Sequence, residues 1–397
     1  MQQSRRISTL NGDSTDDGWG LFNLARKRKA EGAQIIELTQ GEHDIGTNAR
    51  ILEAMHRATS RGVTGYSPVP GVAKLRETIA KRLMDRTGVA TTPDHVQITP
   101  GGQAGLFAAH CAACDPGDPG DRALFIDPYY ATYPGTLRAV GAVPVAVEAQ
   151  SRDGFQPRGE AIAAKAEGAK SLLINTPNNP TGAVYSPETI AGIAGVVRDR
   201  DLWLISDEVY DTQVWQGTHL SPRTLPDMAE RTLVVGSMSK SHAMTGSRLG
   251  WVVGPPDVIE NLTFLANTTT YGVPGFVQEA GLFALSLGAA FEEQIAAPFR
   301  RRREIVLRLV AGQNVVRAIP AQGAMYTMLD IRATGLSGEE FGRKLLDEEA
   351  IAVMPGESFG HASAGHLRLA LTVDDDLLED AVTRLLRLAT RLAREEK

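Results

Sequence analysis

TLVVGSMSKSHAMTGSRLGWVVG, residues 232–254, sets two apolar runs around a polar insert. TLVVG (232–236) and GWVVG (250–254) read as strands buried on both faces, since neither alternates apolar with polar. Between them stand Ser237, Ser239, Lys240, Ser241, Thr245, Ser247 and Arg248, with Gly246 and Gly250 as turn residues. A lysine at the dry end of a buried strand is poorly hydrated when charged. Its pKa falls, and a neutral amine becomes accessible for Schiff-base formation. Arg248 behind it pushes the same way. Taken alone, a lysine snorkelling from a loop is an equally good reading.

Five further runs resemble the first two: VQIT (96–99), ALFID (123–127), VPVAV (143–147), SLLIN (171–175) and LWLIS (202–206). Helical patterns such as ETIAGIAGVVRDR (188–200) lie between several of them. This alternation predicts an α/β fold with a mostly parallel, seven-stranded sheet covered by helices. The gap between the last two runs is short for a helical crossover, so one of those strands is expected to run antiparallel. After Pro274 come long helical patterns, then a strand GAMYTMLDI, a helix FGRKLLDEE, a strand HLRLAL and an amphipathic terminal helix. We expect a large domain over residues 46–290 and a smaller α+β domain over 291–397. Residues 1–45 are expected to pack with the smaller one.

Composition narrows the function. Of 397 residues, 43% are apolar and 22% charged, which suits a globular protein. A net charge of -6 argues against nucleic acid as a partner. The basic runs ARKRK (25–29) and FRRRRE (299–304) read as solvated helix faces. No stretch is apolar enough to cross a membrane, and the amino terminus lacks a signal-peptide core. Cys111 and Cys114 form a CxxC late in a helical stretch, whereas a redox pair normally opens a helix. Two buried structural thiols in a reducing cytoplasm are expected.

Ligands of open α/β sheets bind at the carboxyl ends of the strands. Those ends carry this chain's unusual residues: PGGQ after VQIT, DPYYATY after ALFI, TPNNPTG after SLLIN, DEVY after LWLIS, and SMSK after TLVVG. Gly101 and Gly102 open a helix whose free N–H groups make a phosphate cup, to which Ser237, Ser239 and Arg248 add hydroxyls and a guanidinium. It is neither a dinucleotide fingerprint nor a P-loop. Asp207 could be a plain N-cap, or could hold a proton on a pyridine nitrogen. Asn179 and Tyr210 can donate to a phenolate oxygen, although NNPTG also reads as a turn.

Together, GYSPVPG (65–71), PGGQ, DPYY, NNPTG, SDEVY, SMSK with Arg248 eight positions on, and LRLAL (367–371) resemble the class I/II aminotransferases, pyridoxal-phosphate enzymes of fold type I. The resemblance implies an enzyme moving an amino group from an α-amino acid to a 2-oxo acid through a Lys240 aldimine. It implies Asp207 at the pyridinium, Asn179 and Tyr210 at the phenolic oxygen, and Tyr130 stacked on the ring. Gly101, Gly102, Gln103, Ser237, Ser239 and Arg248 would hold the phosphate of pyridoxal 5'-phosphate. Arg368, with Gly41 and Asn179, would bind the substrate carboxylate. Tyr66 would reach the neighbouring subunit's phosphate, which makes a homodimer with shared sites.

Two positions depart from the family: His43 in GEHDIGTN, where a proline is common, and Gln103, where serine, threonine or lysine is commoner. A carbon–sulfur β-lyase would share every cofactor residue. A non-catalytic regulator would need a DNA-binding module ahead of residue 41. WLISDEVY, SKSHAMTGSRLGWVVGP, MLDIRATGLS and SAGHLRLAL resemble a bacterial subgroup that includes arginine–pyruvate aminotransferases. Asp13, Asp16, Asp17, Glu42 and Asp44 are the acids that could meet a cationic substrate, although a solvated acidic tail is the plainer reading.

Overall fold

The computed structural model describes residues 1, 3–11, 19–117 and 119–395. Seven strands form the main sheet: β1 (Val96–Thr99), β2 (Arg122–Asp127), β3 (Val143–Glu148), β4 (Ala169–Asn175), β5 (Trp203–Asp207), β6 (Thr232–Ser237) and β7 (Gly250–Val253). Their order is β1-β7-β6-β5-β4-β2-β3. Neighbours from β6 through β3 pair in parallel, whereas β7 is antiparallel to both β6 and β1. The connection of residues 238–249 is short for a helical crossover, which fits that reversal. Core strands such as β6 are buried at every position, which is why their sequences do not alternate. Leu172, Leu204 and Ile174 pack toward the helix Pro187–Asp199, while Leu173, Ile205 and Val235 pack with Leu106 of the helix Gly102–Ala113.

A second sheet is antiparallel: β8 (Arg317–Ile319), β9 (Tyr326–Asp330), β10 (Met354–Pro355) and β11 (His366–Ala370), in the order β10-β11-β9-β8. Its core gathers Leu329, Leu367 and Leu369 with Phe341, Leu378, Val382 and Leu385 of the helices Gly338–Glu349 and Asp375–Glu395. The amino-terminal part joins this unit. Ile36 and Glu37 pair in parallel with Ile351 and Ala352, and Leu21 and Ala25 pack on Leu346 and Ala352.

The FRRRRE run corrects one expectation. Arg302 and Arg303 of the helix Gly288–Ala311 are each only 4% exposed. Arg302 bonds Asp44, Asp375 and the Leu371 carbonyl, and Arg303 bonds the Ala321 carbonyl. Buried guanidinium groups persist when so paired. ARKRK does face solvent, with Arg28 on Asp347 and Lys29 on Glu37. Both cysteines are free, and burial pushes both thiols up, away from the reactive thiolate. Among the described residues no helix is long and apolar enough to cross a membrane.

Candidate active site

The chain leaves β6 into a single turn of helix, Met238–Ser241, which carries Lys240 at the strand's end. Ser237 caps that turn: its Oγ accepts from the Ser239 N–H at 3.0 Å and donates to Ser239 Oγ at 2.9 Å. Lys240 Nζ donates to the Gly41 carbonyl. Burial lowers the amine to about 8; Glu42 opposes this, while Arg368 and Arg248 add to it. Near neutral pH such a lysine has an accessible neutral form, as the sequence led us to expect.

Asp207 ends β5 and is 4% exposed. Its Oδ2 accepts from the Tyr133 hydroxyl at 2.7 Å. Burial raises the carboxyl to about 6, against the Tyr133 and Val209 hydrogen bonds. Among the described residues, the groups that act on it are Tyr133, Val209 and Glu208, none of them cationic.

After β1, Gly101 turns the chain with φ of 82° into the helix Gly102–Ala113. A Cβ on Gly101 would run into the Arg248 guanidinium, so the arginine packs directly against the glycine turn at the helix start. Arg248 itself donates to the Thr245 carbonyl at 2.8 Å. Three anion donors thus meet: backbone N–H groups, serine hydroxyls and a guanidinium. The Gln103 side chain points elsewhere. Its Nε2 donates to Thr136 Oγ1 at 2.7 Å and its Oε1 accepts from Thr132 at 3.1 Å, leaving only its backbone N–H at the helix start.

Arg368 of β11 is 3% exposed and lies 4.6 Å from the Tyr326 ring and 4.4 Å from the Phe359 ring. Sheet register explains this pairing: Tyr326 opposes Ala370, so Arg368 is its diagonal neighbour on the same face. The guanidinium donates to Asn179 Oδ1 at 3.0 Å and to the Thr39 carbonyl, while its buried Nε has no hydrogen-bond partner among the described residues. Asn179 accepts through its amide oxygen and keeps its NH₂ as a donor. The Tyr210 and Tyr326 hydroxyls bond at 2.9 Å, and a Cβ on Gly41 would overlap the Tyr326 hydroxyl. Tyr130 sits edge-on to Tyr133 at 5.7 Å; burial raises its phenol, and the neighbours that act on it are Tyr326, Arg368, Asp207 and Arg248.

Tyr66 lies apart from this cluster. It is 92% exposed, with its ring 5.1 Å from that of Tyr271. Tyr133, Tyr326, Phe359 and Thr39 belong to the cluster and were not singled out in the sequence. The spacing Tyr130–Tyr133 in DPYYATY was the one signal that could have found Tyr133.

The family model for aminotransferase class I and II matches residues 33–385. The chain is 38% identical to the arginine–pyruvate transaminase AruH of Pseudomonas aeruginosa over 394 residues, 99% of either chain. It is 34% identical to the aspartate/prephenate aminotransferase of Thermus thermophilus over 393 residues, 98% of this chain and 99% of that one. Its fold superposes on the Thermus thermophilus aspartate aminotransferase with maleate at a TM-score of 0.90, with 32% identity, covering 98% of this chain and 100% of the other. The chain belongs to the class I and II aminotransferases. It is an enzyme that transfers an amino group between an α-amino acid and a 2-oxo acid. The β-lyase alternative is not favoured, since these relatives are named transaminases. The family works with pyridoxal phosphate, and the residues here fit that group: an anion cup with no room for a Cβ, a buried carboxylate short of a cation, and an amine tuned by burial.

Proposed function

We propose that this chain binds pyridoxal 5'-phosphate with Lys240 as the reactive amine. Its single strongest support is the clustering of Asp207 at the end of β5, Lys240 just after β6, Arg248 just before β7 and Arg368 within β11: both arginines act on Lys240, and both act with Asp207 on Tyr130. Gly101, Gly102 and the Gln103 backbone, with Ser237, Ser239 and Arg248, would hold the phosphate. Asp207 would pair with the ring nitrogen, Asn179 and Tyr210 with the phenolic oxygen, and Tyr130 with the ring face. Arg368, assisted by Asn179 and Gly41, would clamp the substrate carboxylate; its unpartnered Nε and planar fork suit that task. Bound there, the cofactor supplies an electron sink for the pair left when the substrate Cα loses its proton. Lys240 is placed to take that proton and return it, and Asp207 to keep the ring nitrogen protonated. The same reading divides the chain at residues 45 and 290 and places it in the cytoplasm, in keeping with its two free thiols.

The reading includes a homodimer with shared sites. Tyr66, exposed and remote from its own chain's cluster, is free to serve a partner's phosphate. Lys240→Ala and Tyr66→Phe chains, each impaired alone, should regain activity after subunit exchange, because one hybrid site is intact. Heterodimers that form without any recovery would place both residues in one site.

For the donor we favour a basic amino acid with pyruvate as acceptor. Asp13, Asp16 and Asp17 lie outside the described residues, and Asp44 is engaged by Arg302. Glu42 remains: it is exposed, held by Thr245 at 2.8 Å and Gln40 at 3.3 Å, and its charge acts on Lys240. One such charge pair can favour arginine over a neutral side chain by about 1.5–3 kcal/mol, roughly tenfold to a hundredfold. The test presents single amino acids to the holoenzyme without an oxo acid and follows the cofactor's absorbance. Conversion should be fastest with arginine. Arginine no better than alanine, aspartate or phenylalanine refutes the donor, and no conversion with any amino acid refutes the transaminase reading.

A further inference from the structure

Asp127 closes β2 of the main sheet, yet its carboxylate serves the second sheet. It faces the connection between β10 and β11: Oδ2 accepts from the His361 N–H at 3.0 Å, and both oxygens lie 3.3 Å from the Ala362 N–H that donates to them. Two residues past Asp127, the Tyr129 N–H donates to the Phe359 carbonyl at 2.9 Å. The approach is close, since a Cβ on Gly360 would overlap the Asp127 carboxylate, and its φ of 115° also favours glycine. The strand end is fixed independently, because the Asp127 carbonyl accepts from the Ala149 N–H at 2.7 Å. The carboxylate is therefore the anchor, and the loop of residues 359–362 is what it holds. Asp127 is 3% exposed. Burial raises its carboxyl to about 6, against the Ala362 and His361 N–H bonds and with Glu148 adding to the rise. At pH 8 it is an anion, and an anion accepts more strongly than a neutral oxygen.

The held loop carries Phe359, which is fully buried with its ring 4.4 Å from the Arg368 guanidinium. Asp127, Glu357 and His361 also line the large cavity that Arg248 lines. We propose that Asp127 is a positioning residue: its carboxylate ties the 359–362 loop to the end of β2, which keeps Phe359 against Arg368 and the guanidinium aimed at the substrate carboxylate. The proposal rests on Arg368 as the carboxylate clamp. Asp127 touches no reacting atom, so its loss should weaken substrate binding and spare the chemical step.

The experiment compares Asp127→Ala, Asp127→Asn and Arg368→Gln holoenzymes with the parent at pH 8. It reads kcat and KM for pyruvate and for those of arginine, alanine, aspartate and phenylalanine that turn over. Asp127→Ala should raise every KM about tenfold, the scale of one hydrogen bond to a charged group, with kcat within about twofold. The factor should be common to all these substrates, because the carboxylate is what they share. Asp127→Asn keeps one acceptor oxygen and should fall between Asp127→Ala and the parent. Pyridoxal phosphate affinity should match the parent's, and the unfolding midpoint shows that each variant is folded. Parental KM values in Asp127→Ala, a loss carried by kcat alone, or a rise confined to one donor would overturn the proposal. Should Asp127→Ala not fold, parental KM values in Asp127→Asn overturn it as well. Arg368→Gln with parental KM values would remove the clamp itself, and with it the reading on which the proposal rests.

Discussion

Replacing Lys240 with alanine is expected to reduce amino-group transfer by about 10³-fold or more while leaving cofactor uptake largely intact. The two effects separate because Lys240 is not among the residues of the proposed phosphate cup. That cup is built from the Gly101 turn, Ser237, Ser239 and Arg248. A single positioned proton-transfer group is worth about 10²–10⁴ in rate, and Lys240 is proposed to be the reactive amine as well. Lys240→Arg should be equally inactive, since a guanidinium keeps the charge but does not give up its proton near neutral pH. An arginine variant with substantial turnover would mean that charge, and not a neutral amine, is what the site needs. Equilibrium binding of pyridoxal phosphate and kcat, measured on both variants, decide it.

Asp207→Asn should trade activity for stability. In the cofactor-free chain the carboxyl titrates near 6, raised by burial, against about 4 in the unfolded chain. Its folded pKa is raised, so the folded chain binds the extra proton between these values, and stability falls as pH rises through that window. Above it the charge costs roughly 3 kcal/mol. Asparagine removes the charge and can still accept from Tyr133, so the cofactor-free variant should be more stable at pH 7 by up to that amount. At pH 4 the difference should vanish. With cofactor bound, the variant lacks the partner for a protonated ring nitrogen, and turnover should fall by about 10²–10³, as when a preorganised electrostatic partner is lost. Denaturant titrations at both pH values, together with kcat, test the two halves separately. Near-normal turnover would remove Asp207 from the ring nitrogen.

The sheet was legible because its central strands are buried on both faces and carry unbroken apolar runs. Each run ends in glycine, proline or polar residues that mark the site. The reversal of β7 followed from a connection too short for a crossover. Burial of Arg302 and Arg303 was not legible. An arginine run looks solvated until partners as distant as Asp44 and Asp375 are brought to it by the fold. Tyr326 escaped notice for a similar reason: its contact with Arg368 depends on the register of β9 against β11, which no local pattern encodes. Gln103 was assigned through its place in the glycine turn, but its side chain is committed to Thr132 and Thr136 on the following α/β unit.

The proposed chemistry turns on one amine. Borohydride reduction of the holoenzyme, followed by proteolysis and mass mapping, reads it directly. A pyridoxyl group should be fixed on the peptide that carries Lys240, in the segment between β6 and β7. A mark on any other lysine, or none on Lys240, would contradict it.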